Sequence, residues 1–102
     1  MKTVSSQRHL DFDIVEEKKA NKDYTVHVTP VFSVDGEEFR AIVDGHHSFA
    51  AAMDMGEDVN FVEVTASEDD RVSLLDNNVD DYLEAAYMDS EWYDVYTGIT
   101  VF

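Results

Sequence analysis

The chain has 102 residues, carries 23 Asp and Glu against 7 Lys and Arg, and has a formal net charge of -16 at pH 7. It contains no cysteine, which excludes a disulfide framework, a thiolate metal site and a cysteine nucleophile. Direct binding to nucleic acid or to an anionic membrane is disfavoured, because proteins contact both through cationic side chains.

Hydrophobic residues make up 44% of the sequence, which is enough for a folded domain, and we expect a single domain over residues 1–102. No apolar run approaches the roughly 20 residues of a membrane-spanning helix. Residues 1–13 lack the apolar stretch of a signal peptide. These features predict a cytoplasmic protein.

The first predicted elements are short. Residues 1–9 are polar, and we expect them to be flexible. Apolar and polar residues alternate over 10–14, which predicts a short strand. Residues 16–22 are mostly charged and are expected to form a turn or a single helical turn.

A hairpin is predicted in the next segment. β-Branched and aromatic residues dominate 24–32, and the return strand is predicted over 37–43. Asp35 and Gly36 between them are typical of a tight hairpin turn. Pro30 has no amide proton to donate to a sheet, so we expect it at a bulge or at a sheet edge.

The rest of the chain alternates helices and strands. The predicted elements are a helix over 46–55 that ends at Gly56, a strand over 59–66, a short helix over 71–75, a helix over 79–88 with Asn78 as its N-cap, and a strand over 92–102. Together with the hairpin, this order predicts a small α+β domain with a mixed sheet and about three helices.

The acidic excess is concentrated after residue 40. Residues 1–40 contain 8 acids and 6 bases, whereas residues 41–102 contain 15 acids and a single base, Arg71. A surface of one sign repels itself and lowers the stability of the fold. Three interpretations are open: the charge serves solubility or a high-salt environment, it meets a basic partner, or its carboxylates imitate the phosphates of nucleic acid.

The most informative segment is AIVDGHHSFAAAMDMG, residues 41–56. A strand ends in Asp44 and Gly45, two histidines follow, and an alanine-rich helix ends at Gly56. This arrangement resembles the central motif of ParB-like domains, which share their fold with sulfiredoxin. The resemblance covers about residues 10–90, is densest over 37–64, and implies a ParB/sulfiredoxin-like fold.

The resemblance also implies a ligand site at this turn, made of Asp44, Gly45, His46, His47 and Ser48. In the family the turn approaches phosphate groups, since glycine lets the backbone come close and a helix N-terminus favours an anion. Ser48 stands where the family has an arginine, so one hydroxyl replaces a bidentate cation. Sulfiredoxin chemistry is excluded, because it needs a cysteine near this turn.

No other constellation carries catalytic chemistry. His46 and His47 are adjacent, and adjacent residues of a helix face different ways, which argues against a shared metal ion. The runs of acids lack the spacing and central glycine of a calcium loop, and Ser48 is not in a nucleophile-elbow motif. We therefore expect no catalytic residue, no metal and no cofactor.

The C-terminal third combines aromatic residues with acids. Most of the aromatics are expected in the core, and those left outside would anchor a protein interface toward which acids steer a basic partner. The acids predicted to contact that partner are Asp69, Asp70, Asp76, Asp80, Asp81, Glu84, Asp89, Glu91 and Asp94.

These features predict a non-enzymatic acidic protein that occupies the basic, nucleic-acid-binding site of a partner protein such as a nuclease. By analogy, small acidic inhibitors of this kind, including anti-CRISPR proteins, are typical of phages, where they act in the host cytoplasm. One alternative is a ParB-like module that binds or hydrolyses a nucleotide at the Gly45–Ser48 turn. Another is a housekeeping domain whose charge serves solubility. The sequence leaves the oligomeric state open.

Overall fold

The computed structural model describes all 102 residues and contains one mixed sheet and three α-helices. The strands are β1 (Lys2–Ser5), β2 (Thr25–Val28), β3 (Phe32–Val34), β4 (Glu37–Asp44), β5 (Asn60–Glu63) and β6 (Tyr93–Asp94). The α-helices are α1 (Phe12–Ala20), α2 (His46–Met55) and α3 (Val79–Ala85), and a 3-10 helix covers Val72–Asp76. The predicted small α+β domain with a mixed sheet is confirmed.

The central strand of the sheet is β4. The strand order is β5-β2-β4-β1-β6, and β3 also pairs with β4. β1 is parallel to β4, whereas β2 and β3 are antiparallel to it and follow one another along its length. β5 lies parallel to β2 at one end of the sheet. At the other end, the chain beyond β6 folds back on it, since the Asp94 amide donates to the Ile99 carbonyl.

The N-terminal part departs most from the sequence-based expectations. Residues 1–9, which were expected to be flexible, include β1, and its Val4 is fully buried between β4 and β6. The strand predicted over 10–14 is wrong, because the Asp11 carboxylate accepts a hydrogen bond from the Asp13 amide and caps α1. Phe12 is largely exposed, so the alternation of apolar and polar residues in this segment does not correspond to a buried and an exposed face of a strand.

Pro30 divides the strand predicted over 24–32 into β2 and β3. At the break, Thr29 keeps contact with β4, because its amide donates to the Ala41 carbonyl and its hydroxyl accepts from the Ala41 amide. The hairpin turn is confirmed: Asp35 and Gly36 both have positive φ angles, 53° and 81°.

The C-terminal elements are shorter than predicted. The helix over 46–55 and its Gly56 cap are confirmed, but α3 ends early because the Ser6 hydroxyl donates to the Ala86 carbonyl and accepts from the Met88 amide. β5 likewise covers only part of 59–66. The single strand predicted over 92–102 is wrong, since the chain turns at Gly98 and its end pairs back onto β6.

Two hydrophobic clusters cover the two faces of the sheet. Alternate residues of β4 divide between them: Phe39 and Ala41 belong to the larger cluster, and Ile42 packs against the smaller one. The larger cluster includes Tyr82 of α3, and the smaller includes Phe49 of α2. α2 and α3 therefore lie on opposite faces, and α2 begins directly at the C-terminal end of β4.

Candidate functional site

The turn between β4 and α2 is built around Gly45. Its φ angle is 97°, in the left-handed region that favours glycine. A Cβ atom at this position would lie 2.7 Å from the Thr25 carbonyl oxygen and 2.9 Å from the Val26 Cα. The turn therefore requires glycine, because only glycine lets the start of α2 pack directly against the backbone of β2.

The first turn of α2 has unsatisfied amide donors. No side chain caps the helix, and no acidic residue lies in its first turn. By contrast, Asp11 caps α1 and Asn78 caps α3. An uncapped helix N-terminus with its partial positive charge favours an anion.

The segment Asp44–Ser48, predicted as a ligand site, lines a cleft of about 500 Å³. The residues that sequence reasoning missed in the same cleft are Gln7, Ile14, Lys18, Asp23, Thr25 and His27. They come from distant segments that the pairing of β2 with β4 brings together, with His27 opposite Asp44. No local spacing in the sequence could have revealed them.

Charges of both signs line this cleft. The Lys18 ammonium donates to the Asp23 carboxylate at 3.0 Å, and this hydrogen bond holds the pKa of Asp23 below its ordinary value. Asp44 is exposed, and its carboxylate accepts a hydrogen bond from the Gly45 amide at 2.9 Å. Since the lysine is already paired, an anion in the cleft would be held by helix amides and by a histidine.

That histidine is His46, which lies where the cleft meets two smaller cavities of about 200 Å³ and about 290 Å³. His46 is 9% exposed, and its Nδ1 and Nε2 atoms are the only two buried side-chain polar atoms without a hydrogen-bond partner. Burial and the neighbouring His47 lower the pKa of His46 below 6.5, against the opposite effect of Asp89. A neutral imidazole has one donor and one acceptor, and here both are unused.

The other polar residues of the turn have less free capacity. His47 Nε2 accepts a hydrogen bond from the Asp11 amide at 3.1 Å, which joins the start of α2 to the N-cap of α1. Ser48 is 1% exposed and lies in the wall of the cleft. His46 is therefore the residue of this turn whose two ring nitrogens have no hydrogen-bond partner within the chain.

Replacing His46 with leucine is expected to stabilise the protein by about 1 kcal/mol at neutral pH, because it removes two unpartnered buried polar atoms. The wild-type protein should lose stability as the pH falls below 6.5, where the unfolded chain binds a proton at His46 before the folded chain does. Urea unfolding at about pH 7.5 and about pH 5.5 measures both effects. The other three histidines are present in both proteins, so a variant with the wild-type pH dependence and lower stability would contradict this interpretation.

Two of the nine predicted contact acids stabilise local turns. The Asp69 carboxylate accepts from the Arg71 amide at 2.8 Å and lies 3.6 Å from the Arg71 guanidinium. The Asp94 carboxylate accepts from the Tyr96 amide at 2.9 Å. Both side chains are only partly exposed, so their first role is within the chain.

Asp89 joins the segment after α3 to the segment after β1. Its carboxylate oxygens accept hydrogen bonds from the Arg8 and His9 amides at 2.7 Å and 2.8 Å, and these bonds lower its pKa. This contact could not be predicted from the sequence, because the residues it joins are about 80 positions apart.

The remaining six acids are exposed, and none forms an ion pair. We call them the acidic surface: Asp70, Asp76, Asp80, Asp81, Glu84 and Glu91. Three of them lie on α3, whose Tyr82 is buried. The one base of residues 41–102, Arg71, is paired with Asp69, so no side chain neutralises the acidic surface.

The aromatic residues divide as expected. Tyr82, Trp92 and Tyr93 are buried, and burial raises the pKa of Tyr82 to about 12. Tyr87 and Tyr96 are 52% and 58% exposed. Tyr87 follows the end of α3, close in sequence to the acidic surface, and can act as an aromatic anchor there.

Two further properties concern metals and membranes. No group of three or more His, Asp or Glu side chains is arranged to hold a metal ion. None of the helices has the length and apolarity that a bilayer-crossing helix needs.

No family model, no curated protein and no solved structure matches this chain. The resemblance to ParB-like domains therefore stays a prediction. The two candidate sites, the cleft at the start of α2 and the acidic surface, are interpreted from their geometry and charge.

Proposed function

We propose that the protein is a non-enzymatic, cytoplasmic binding protein whose acidic surface occupies the basic, nucleic-acid-binding site of a partner protein such as a nuclease. The observation that carries this proposal is the absence of counter-charge. The six exposed carboxylates of the acidic surface form no ion pair, and Arg71, the one base of residues 41–102, is already paired with Asp69. A basic partner would relieve their mutual repulsion and would be steered to them.

The helical part of the acidic surface is suited to a groove that holds phosphates. Asp80 and Glu84 lie one turn apart on α3, with Cβ atoms about 5–6 Å from one another. Neighbouring carboxylates on a rigid helix can contact neighbouring cationic side chains of one groove. Asp80 and Asp81 also lie in the first turn of α3, where they favour the helix dipole. The acids of the acidic surface other than Asp80 and Asp81 are therefore the better positions for substitution.

A capture experiment tests the proposal. The immobilised protein is compared with a near-isosteric variant carrying Asp70→Asn, Asp76→Asn, Glu84→Gln and Glu91→Gln. In lysate of the encoding organism or its host, we expect the wild type to retain a basic protein at about 50 mM salt and to release it at about 500 mM. The variant should retain much less of it. Equal retention by the variant, or retention that salt does not change, would contradict the proposal.

The solubility interpretation predicts a different result in the absence of any partner. A domain adapted to high salt should lose its fold as the ionic strength is lowered. The proposed binding protein should remain folded at about 50 mM salt, because its repulsion is offset by its hydrophobic clusters. A melting curve measured against salt separates the two.

A second candidate function is the binding of a phosphate or nucleotide at the start of α2. The specific observation that favours it is the unpartnered His46 beside an uncapped helix N-terminus. The left-handed Gly45 and the alanine-rich helix are also the features that resemble ParB-like domains. A ParB/sulfiredoxin-like fold is part of this proposal.

Titration with ATP, CTP and GTP in the presence of Mg²⁺ tests the second candidate. We expect NMR shifts confined to the amides of His46, His47 and Ser48, and about tenfold weaker binding in the His46→Leu variant. The capture variant, which keeps this cleft, should bind the nucleotide as the wild type does. No shift at nucleotide concentrations up to about 1 mM would contradict this function.

A further inference from the structure

One edge of the sheet is open for pairing. β5 pairs with β2 alone and ends the sheet on that side, whereas the chain beyond β6 folds back on the opposite edge. β5 has no lysine, no proline and no register shift, three devices that commonly protect such an edge.

The register of β5 shows which backbone groups face outward. The Asn60 amide donates to the Tyr24 carbonyl at 2.9 Å, and the Val64 amide donates to the Val28 carbonyl at 2.7 Å. In a parallel pair, alternate residues of a strand direct their amide and carbonyl groups to the same neighbour. Asn60, Val62 and Val64 therefore direct their backbone groups to β2, and Phe61 and Glu63 direct their amide and carbonyl groups to the free edge.

The free edge is acidic. Glu57 and Asp58 precede β5 and Glu63 ends it; all three are exposed, and none forms an ion pair. Pairing of two copies through β5 would bring acids of like sign together on chains that each carry a net charge of -16. The edge is thus open to another strand but disfavours a second copy of itself.

The side chains of β5 also indicate what a strand beside it should contain. Val62 is 39% exposed, while Phe61 is half-buried with the Arg40 guanidinium 3.9 Å from its ring centre. Successive side chains of a strand lie on opposite faces, so Val62 and Glu63 offer an apolar contact on one face and a carboxylate on the other.

We propose that β5 accepts an extended segment of the partner protein as an additional strand, and that this segment alternates basic and apolar residues. The backbone of Phe61 and Glu63 would supply the hydrogen bonds, and the three acids would select lysine or arginine. The choice of a basic protein as the partner rests on the proposed function. The open edge of β5 is observed independently of that function.

The test uses a capped peptide of about eight residues that alternates Lys and Val, with a Glu and Val peptide as its charge control. On binding, the Phe61 and Glu63 amides should gain at least about tenfold protection from hydrogen exchange, while the already paired Asn60 and Val62 amides change little. Glu63→Pro, which removes one outward amide without touching the pairing with β2, should weaken binding at least about tenfold. Glu63→Gln, which keeps that amide, should weaken it only about two- to fivefold.

A second measurement leaves the protein unchanged. Two peptides are compared, each methylated at alternate backbone nitrogens so that one of its two edges has no amide donor. The peptide methylated on the edge that pairs with β5 should not bind. Equal binding by Glu63→Pro and Glu63→Gln together with unaffected binding of both methylated peptides would overturn the proposal. So would shifts confined to the acidic surface, a result that would leave the proposed function standing. Protection of Phe61 and Glu63 that rises with protein concentration alone would identify a second copy as the occupant and would also overturn it.

Discussion

Replacing Gly45 with alanine is expected to destabilise the protein by about 3 kcal/mol or more. Alanine at a φ of 97° is strained, and its Cβ would lie 2.7 Å from a backbone oxygen of β2, which cannot move without disturbing the pairing of β2 within the sheet. Both effects act at the junction of β4 and α2, so the cleft should be lost together with the stability. Urea unfolding of the purified variant measures the change.

Gly56→Ala at the other end of α2 is the matched control. Gly56 also has a positive φ, 65°, but a Cβ there would meet nothing within 4 Å. This substitution should cost about 1 kcal/mol, which is the conformational penalty alone. If the two variants are equally stable, the close approach of α2 to β2 at Gly45 is not needed for the fold.

Reversing the charge of Asp70, Asp76, Glu84 and Glu91 to lysine is expected to weaken partner binding at least about 100-fold while leaving the fold intact. None of these four carboxylates accepts a hydrogen bond or forms an ion pair within the chain. Removing part of the excess negative charge should also raise the melting temperature at low salt, because it reduces self-repulsion. Loss of binding with a gain in stability separates a functional role from a structural one.

Reversal of Glu17 and Glu38 provides a control for non-specific electrostatics. Both acids are exposed and unpaired, and both lie outside the acidic surface. This change should alter the affinity less than about threefold at about 150 mM salt, where distant charges are screened. If each reversed charge at Glu17 and Glu38 weakened partner binding as much as each reversed charge on the acidic surface, net charge and not position would govern binding.

Local chemistry made the hairpin, α2 and the start of α3 predictable from the sequence. Asp35 and Gly36 accept positive φ angles, Gly56 ends a helix in the left-handed region, and the Asn78 side chain accepts a hydrogen bond from the Asp80 amide as an N-cap. Each of these signals depends on residues within a few positions of one another.

Long-range contacts explain what the sequence did not predict. β1 is unremarkable as a sequence, but its polar residues are buried because they find partners far along the chain; the Thr3 hydroxyl, for example, accepts a hydrogen bond from the Arg40 Nε atom. α1 includes the end of the strand predicted over 10–14 and most of the turn or single helical turn predicted over 16–22, because the capping by Asp11 outweighs a short alternating pattern.

The candidate sites show the same division. The turn from Asp44 to Ser48 can be proposed as a site from the sequence because its residues are contiguous, whereas Lys18 and His27 reach the cleft only through the fold. The unused nitrogens of His46 are visible only when every neighbouring polar group is known. Among the predicted contact acids, the role of Asp89 as a partner of two N-terminal amides could not be inferred from its surroundings in the sequence.

Competition with DNA tests the central claim most directly. The captured partner is loaded with fluorescent duplex DNA, and the wild-type protein is added while the DNA anisotropy is recorded. Occupation of the nucleic-acid-binding site predicts release of the DNA as the protein approaches equimolar amounts, and no release by the variant with four reversed charges. A ternary complex in which partner, DNA and protein remain bound together would show that the protein binds elsewhere, and would contradict the proposed function.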